Sequence, residues 1–123
     1  MSSTFCQCSS HRYKLITIPP DYCPDGEVPF RPAWALGVPE TPGVYLIHDV
    51  RGVLYIGRAG NLRRRFEQHY LATHSSLLEL AIQSPVGEVE YSWICRDHLE
   101  EQQALERALI RSFRPLCNIQ HNR

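Results

Sequence analysis

Long apolar runs are absent from this sequence of 123 residues. None approaches the roughly 20 residues that a membrane-spanning helix requires. The first residues also lack the cationic start and the short apolar segment of a secretion signal. We therefore expect a single globular domain, no association with a membrane and a cytoplasmic location.

Lysine is also nearly absent, because Lys14 is the only one in the chain. The 13 basic residues balance 13 acidic residues, so the formal net charge is zero. A neutral total does not exclude nucleic acid as a partner, since the charges can be segregated on the surface. Four arginines fall within residues 58–65, and the guanidinium group suits bidentate contacts with phosphate.

The five cysteines are an odd number, which does not favour a disulfide framework in a reducing compartment. Three cysteines and one histidine near the N-terminus can together offer four ligands to a zinc ion: Cys6, Cys8, His11 and Cys23. Their spacing is not that of a common zinc module. We therefore expect free thiols rather than a zinc site at these positions.

Proline divides the chain into two parts. Six prolines between residues 19 and 39 break any long helix, so residues 1–40 are predicted to be a Pro-rich extension that wraps over the domain or is partly mobile. Residues 41–123 carry patterns typical of strands at 44–48, 53–57 and 89–95, and of helices at 62–71, 75–83 and 99–113. This order predicts an α+β fold with a three-stranded antiparallel sheet flanked by helices.

Two short motifs lie on the first two predicted strands of this domain. Gly-Val-Tyr occupies residues 43–45, and Tyr-Ile-Gly occupies residues 55–57. An arginine-rich segment follows at once, with Asn61 as the predicted helix cap. Tyr45 and Tyr55 on paired strands beside these arginines form a surface suited to a phosphodiester, although cross-strand packing is also a common role of tyrosine in a hairpin.

The two motifs resemble those of the GIY-YIG nuclease family, and the resemblance covers about residues 42–118. Five positions match the functional residues of that family in order: Tyr45, Tyr55, Arg65, Glu106 and Asn118. The segments around Arg65 and Glu106 are most similar to the branch formed by the N-terminal domain of the incision subunit of bacterial nucleotide excision repair. That branch usually has lysine where this chain has Arg58, and other branches have histidine at the position of His69.

The resemblance implies a metal-dependent endonuclease that hydrolyses DNA phosphodiester bonds. Glu106 would hold one Mg²⁺ or Mn²⁺ together with waters and substrate oxygens, as magnesium sites often do, and Arg65 would stabilise charge on the phosphate. Tyr45 or Tyr55 would be the general base, and we favour Tyr45. Because the reference pKa of tyrosine is about 10, such a base needs nearby positive charge, which Arg58 and the metal would provide.

The remaining candidate positions surround this set. His69 follows Arg65 by one helical turn and is predicted either to contact the same phosphate or to lie on the helix surface. Gly57 and Asn118 would brace the site. Contacts to DNA are expected from four residues of the arginine-rich segment: Arg58, Asn61, Arg63 and Arg64.

Two other interpretations stay open on the sequence. One is a nucleic-acid-binding or adaptor module that has the same fold and has lost catalysis. The other is a zinc-stabilised interaction domain built on the N-terminal cysteines and His11. In the nuclease interpretation, specificity for DNA would come from the extension, from a homo-oligomer or from a partner protein.

Overall fold

The structure, a computed structural model, describes residues 23–71 and 76–118, apart from the side chain of Ser76. Cys6, Cys8 and His11 of the candidate zinc set lie outside the described residues. Cys23 is disulfide-bonded, so the free thiol expected there is not found. The other two cysteines of the described part, Cys95 and Cys117, are free.

The described residues contain four strands, three α-helices and one 3₁₀ helix. In chain order these are β1 (Gly26–Pro29), the 3₁₀ helix (Pro32–Gly37), β2 (Gly43–Asp49), β3 (Gly52–Ala59), α1 (Leu62–Leu71), α2 (Ser76–Gln83), β4 (Glu90–Cys95) and α3 (Leu99–Phe113). In these parts of the chain, no helix has both the length and the apolar character needed to cross a membrane.

The sheet is antiparallel and has the strand order β1-β4-β2-β3. The α+β class is confirmed, whereas the predicted count of three strands is wrong, because β1 adds a fourth strand alongside β4. The proline-rich sequence around this short strand obscured the alternating pattern. A Cβ atom on Gly26 would lie 2.4 Å from the indole of Trp93, so glycine lets the two strands pair here. The division of the chain at residue 40 stays a prediction.

Strand β2 lies at the centre of the fold and is buried along its whole length. Alternate side chains of a strand point to opposite faces, and both faces are covered here. Val44 and Leu46 pack in a cluster with Leu105 and Leu109 of α3. Tyr45 and Ile47 pack on the other face, in a cluster that includes residues of α1, α2 and the 3₁₀ helix. The sheet is therefore a middle layer between helices, which is why β2 reads as a continuous apolar run.

The backbone amides at the start of α1 donate hydrogen bonds to acceptors within the protein. The Asn61 Oδ1 atom accepts a hydrogen bond from the Arg64 amide at 3.0 Å, as expected of a helix cap. The amides of Leu62 and Arg63 donate to the carbonyl oxygens of Thr41 and Pro39. Because these first-turn amides have partners, they do not form a free anion-binding site of the kind that helix N-termini can offer.

The outer edge of β3 is covered by the residues that follow α3. The Asn118 side chain accepts a hydrogen bond from the Ile56 amide and donates one to the Ile56 carbonyl, each at 2.8 Å. The Cys117 amide donates to the Leu54 carbonyl at 2.8 Å. Arg114 adopts a left-handed conformation with φ of 48° at the end of α3, and this turns the chain back toward the sheet.

A buried histidine lies on β2. The His48 Nε2 atom is 2.6 Å from the Ser92 hydroxyl on β4. Burial lowers the pKa of His48 to about 4, against the opposing charge of Asp49. The folded protein therefore keeps this imidazole neutral at a pH where an unfolded chain would protonate it.

We expect the free energy of unfolding to decrease as the pH falls from about 6.5 toward 4, because the unfolded state then binds a proton that the folded state excludes. The difference in pKa corresponds to about 3 kcal/mol. Urea unfolding at several pH values measures this dependence. His48→Gln, which keeps a polar group for Ser92, should flatten the profile, and His98→Gln at an exposed position should not. If the free energy of unfolding depended on pH equally in both variants, His48 would not be the cause of this dependence.

Candidate active site

Tyr45 is fully buried in the centre of β2, directly opposite Gly57 on β3. A Cβ atom on Gly57 would lie 2.5 Å from the Tyr45 hydroxyl oxygen and 2.7 Å from Cζ. The glycine of the second motif therefore makes room for the tyrosine of the first. Tyr55 lies two residues before Gly57, on the same face of the sheet, and its ring centroid is 6.1 Å from that of Tyr45.

His69 is buried against both tyrosines. Its Nε2 atom is 2.6 Å from the Tyr45 hydroxyl oxygen, and its ring centroid lies 5.3 Å from Tyr45 and 5.6 Å from Tyr55. The alternative that His69 lies on the helix surface is therefore wrong, because α1 turns this position toward the sheet. A direct contact of His69 with phosphate stays a prediction.

The electrostatics of the tyrosines differ from the expectation. Burial raises the pKa of Tyr45 far above its ordinary value, and the neighbouring Tyr55 raises it further, while Arg65 opposes the shift. Burial also raises the pKa of Tyr55, with a further contribution from Glu106, and Arg65 again opposes it. Among the side chains, the cation that favours a tyrosinate is thus Arg65, whereas we expected Arg58, together with the metal, to have this role.

Arg58 instead pairs with Glu106. Its Nε atom donates to Oε1 of Glu106 at 2.9 Å, which joins β3 to α3 across 48 positions of sequence. Only 13% of the Glu106 side-chain surface is exposed, compared with 37% for Arg58. A carboxylate buried to this degree needs a compensating cation, and in this structure the cation is the guanidinium of Arg58.

Arg65 is held at the start of α1 by two hydrogen bonds. Its Nε atom donates to Oε1 of Gln68 at 2.9 Å, and its Nη1 atom donates to the carbonyl of Arg58 at 3.3 Å. The second bond ties the Arg65 side chain to β3 next to the Arg58–Glu106 pair. Arg65 lines the same cleft as both tyrosines, and its charge acts on the pKa of each.

These side chains surround a cleft of about 500 Å³ between β3, α1 and the start of α3. Its lining consists of Tyr45, Tyr55, Gly57, Arg58, Ala59, Gly60, Arg65, Asp97, Leu99, Gln102 and Glu106. The sequence analysis missed Asp97 and Gln102. The position of Gln102 four residues before Glu106 was the available signal, since this spacing places both on one face of a helix. The Gln102 side chain donates to the Arg96 carbonyl at 2.9 Å.

The chemistry of the cleft fits a hard divalent cation. Glu106 offers a carboxylate, and the cleft leaves space for waters and for substrate oxygens. Within residues 23–71 and 76–118, no three His, Cys, Asp or Glu side chains cluster as a complete metal cage. Mg²⁺ commonly binds through one or two carboxylates and keeps several waters, so Glu106 can serve as its protein ligand.

The expected DNA contacts fall into different environments. Arg64 is exposed and Asn61 caps α1. The guanidinium of Arg63, in contrast, donates to the carbonyl oxygens of Val38 at 2.8 Å and Leu36 at 3.4 Å, and it lies 3.4 Å from the Glu40 carboxylate. Arg63 therefore fastens the segment after the 3₁₀ helix to α1, and its contact with DNA stays a prediction.

An antiparallel sheet that brings Tyr45, Tyr55, Arg65 and Glu106 around one cleft is the arrangement expected of a GIY-YIG domain. Residues 41–119 match the family model described as the UvrC-like GIY-YIG domain. The chain belongs to this family, and the resemblance seen in the sequence is confirmed.

Curated relatives with the same domain are named UvrABC system protein C. The protein of Moorella thermoacetica is 36% identical over 83 residues, which cover 67% of this chain and 13% of the relative. The protein of Aquifex aeolicus is 39% identical over 83 residues, which cover 68% of this chain and 14% of the relative. The match thus covers about one seventh of the length of these relatives.

Solved structures give the same result. The crystal structure of the GIY-YIG N-terminal endonuclease domain of UvrC from Thermotoga maritima bound to its catalytic divalent cation, magnesium, is 27% identical with a TM-score of 0.54. The match covers 68% of this chain and 90% of that domain. A point mutant of the same domain, bound to its catalytic divalent cation, is 28% identical with a TM-score of 0.54 and covers 68% and 89% of the two chains.

The close approach of Gly57 to Tyr45 predicts a position-specific cost of substitution. Gly57→Ala should lower the free energy of unfolding by about 1–3 kcal/mol, because the new methyl group overlaps the Tyr45 ring and hydroxyl. Gly60→Ala is the matched control, since no atom lies within 4 Å of its Cβ position. Denaturant unfolding of both variants measures the difference. Equal stability of the two would show that Tyr45 can move without cost.

Proposed function

We propose that this chain is a metal-dependent endonuclease that hydrolyses DNA phosphodiester bonds. The observation that supports this function best is the convergence of four side chains on one cleft. Tyr45 and Tyr55 come from the paired strands β2 and β3, Arg65 from α1 and Glu106 from α3. Catalysis of phosphodiester hydrolysis uses a base for the attacking water, positive charge at the phosphate and assistance to the leaving oxygen, and this set offers groups for each task.

Arg65 is the residue that we assign to charge stabilisation at the phosphate. The first-turn amides of α1 have partners within the protein, so the protein's own positive charge at the phosphate would come from side chains. The guanidinium of Arg65 is oriented by Gln68 and by the Arg58 carbonyl. A donor that is already oriented needs little reorganisation in the transition state, which is the source of its catalytic effect.

Tyr45 is our candidate for the base, and His69 is the group that receives its proton. Burial opposes a free tyrosinate at Tyr45. The short contact between the Tyr45 hydroxyl and the Nε2 atom of His69 offers another route. The phenol proton moves to His69 as the phenol oxygen accepts a proton from the attacking water, so no isolated phenolate forms in the interior. Tyr55, which is less buried, supports the water and the phosphate.

Glu106 is the proposed metal ligand. A divalent cation bound there would neutralise charge on the phosphate and assist the leaving oxygen. The protein would supply this one carboxylate, with waters and phosphate oxygens completing the coordination. Mg²⁺ and Mn²⁺ both suit such an oxygen-rich site.

DNA is the proposed partner, and a partner protein or a second copy of the chain would add specificity. The curated relatives carry a name that places them in a UvrABC system, and this chain corresponds to a small part of their length. Arg64, which is exposed at the start of α1, is the residue that we expect to contact the DNA backbone without taking part in the reaction.

The metal assignment predicts the effect of removing Glu106. Glu106→Ala should lower the rate of DNA cleavage by at least about 10²-fold, because the metal loses its carboxylate ligand. Glu101→Ala, on an exposed position of the same helix, is the control and should cleave at the wild-type rate. The rate of cleavage is measured on supercoiled, linear, branched and single-stranded DNA with each protein and Mg²⁺ or Mn²⁺. A reaction with a chelator in place of the metal is the negative control. Wild-type protein that binds DNA yet cleaves none of these substrates would favour an adaptor module.

The proton route predicts different consequences at the two tyrosines. Tyr45→Phe should nearly abolish cleavage, because it removes the hydroxyl that contacts His69, and Tyr55→Phe should retain a measurable rate. Both variants keep the aromatic ring, so circular dichroism should show a normal fold. The wild-type rate should level off below about pH 10, since the proton passes to an imidazole and not to bulk solvent. A rate that continues to rise through this pH, or a near-normal Tyr45→Phe enzyme, would exclude the route.

A further inference from the structure

The Glu106 carboxylate and the Arg58 guanidinium already form an ion pair in the cleft. The Nε···Oε1 distance is 2.9 Å, and the carboxylate side chain is only 13% exposed. Removing one member of such a pair leaves the other charge without compensation in a poorly solvated place. Glu106 therefore needs a cation before any metal arrives, and Arg58 is the cation that the structure provides.

A metal at Glu106 would have Arg58 as a close neighbour. A magnesium ion bound to the same carboxylate oxygen would lie about 2 Å from that oxygen. Added to the 2.9 Å contact, this places the ion and the guanidinium nitrogen at most about 5 Å apart, a distance at which two positive charges repel strongly in a partly buried site. Binding of the metal is favoured if Arg58 has another anion to contact.

A DNA phosphate is that other anion, because Arg58 lines the cleft beside Arg65. Its side chain is 37% exposed, so it can turn toward the cleft without breaking the packed core. Guanidinium groups bind phosphate in the same bidentate manner in which they bind a carboxylate. Exchange of partners would leave every charge compensated, with Arg58 on phosphate and Glu106 on the metal.

We propose that Arg58 pairs with the Glu106 carboxylate in the absence of DNA and transfers to a DNA phosphate when DNA binds. Glu106 is then available to the divalent cation, so DNA and the cation bind cooperatively. This inference rests on the proposed function. It adds that the free protein binds metal weakly, and that Arg58 is a positioning residue which couples the two ligands. Such coupling is reciprocal, so the metal should strengthen DNA binding by the same factor.

The first test measures Mn²⁺ binding to the whole chain in the absence of DNA by titration calorimetry. Arg58→Gln keeps an amide donor for Glu106 and removes the competing charge, so we expect its Mn²⁺ affinity to exceed that of the wild type by about tenfold, within the usual range of such couplings. Arg107→Gln makes the same change of net charge at an exposed neighbour of Glu106 on α3, and its affinity should change by less than about threefold.

The second test adds a short DNA duplex, with Tyr45→Phe present in every version of the protein to prevent cleavage. The duplex should raise the Mn²⁺ affinity by about 5- to 150-fold with Arg58 present, which is the usual span of cooperative effects. It should have little effect with Arg58→Gln. Any increase that remains with Arg58→Gln reports Mn²⁺ attracted by the duplex itself, and the Arg107→Gln version, which keeps Arg58, should respond like the wild type.

The outcomes separate this inference from the proposed function. Equal Mn²⁺ affinities of Arg58→Gln and Arg107→Gln without DNA, or an equal increase of both when the duplex is added, would overturn the coupling and leave the nuclease assignment standing. Failure of every version to bind Mn²⁺, or unchanged binding in Glu106→Ala, would overturn both. Circular dichroism checks the fold of each variant, and Arg58→Met, which preserves the packing of the aliphatic stem, replaces Arg58→Gln if the latter does not fold.

Discussion

The pairing of Tyr45 with Gly57 is the constraint on which the rest of the site depends. The two residues face each other across β2 and β3, and only a residue without a side chain leaves room for the Tyr45 ring and hydroxyl at this position. With the ring in place, the hydroxyl reaches His69 on α1, while Tyr91 stacks on its other side with centroids 5.2 Å apart. The register of two strands thus fixes where α1 docks, and with it where Arg65 enters the cleft.

Charge compensation is the second organising feature of the cleft and its surroundings. Arg58, Arg63 and Arg65 lie close together in sequence, yet each has a different task. Arg58 pairs with Glu106, Arg63 fastens the segment before β2, and Arg65 contacts Gln68 and the Arg58 carbonyl. A count of arginines therefore does not give the positive charge at the surface, because Arg58 and Arg63 are engaged with acceptors of the protein itself while Arg64 is exposed.

Much of the fold was predictable because it follows from local patterns. The apolar segments of β2 and β3, the alternation along β4 and the helical spacing of Leu62 and Phe66 indicated the α+β class, and Asn61 identified the start of α1. Strand β1 was missed because it is four residues long and ends at Pro29. Its stability comes from pairing with β4 and from the Trp93 ring on Gly26, and neither contact leaves a periodic signal in the sequence.

The sequence by itself determined the kinds of chemical group and their order, since the motifs and the residues after them define a GIY-YIG domain residue by residue. Only the tertiary structure decided which groups are partners. The contact of Tyr45 with His69 joins residues 24 positions apart, and that of Arg58 with Glu106 joins residues 48 positions apart. The strength of an ion pair and the pKa of a phenol depend on the distance between the groups and on their burial. Distance and burial are set only when the helices pack on the two faces of the sheet.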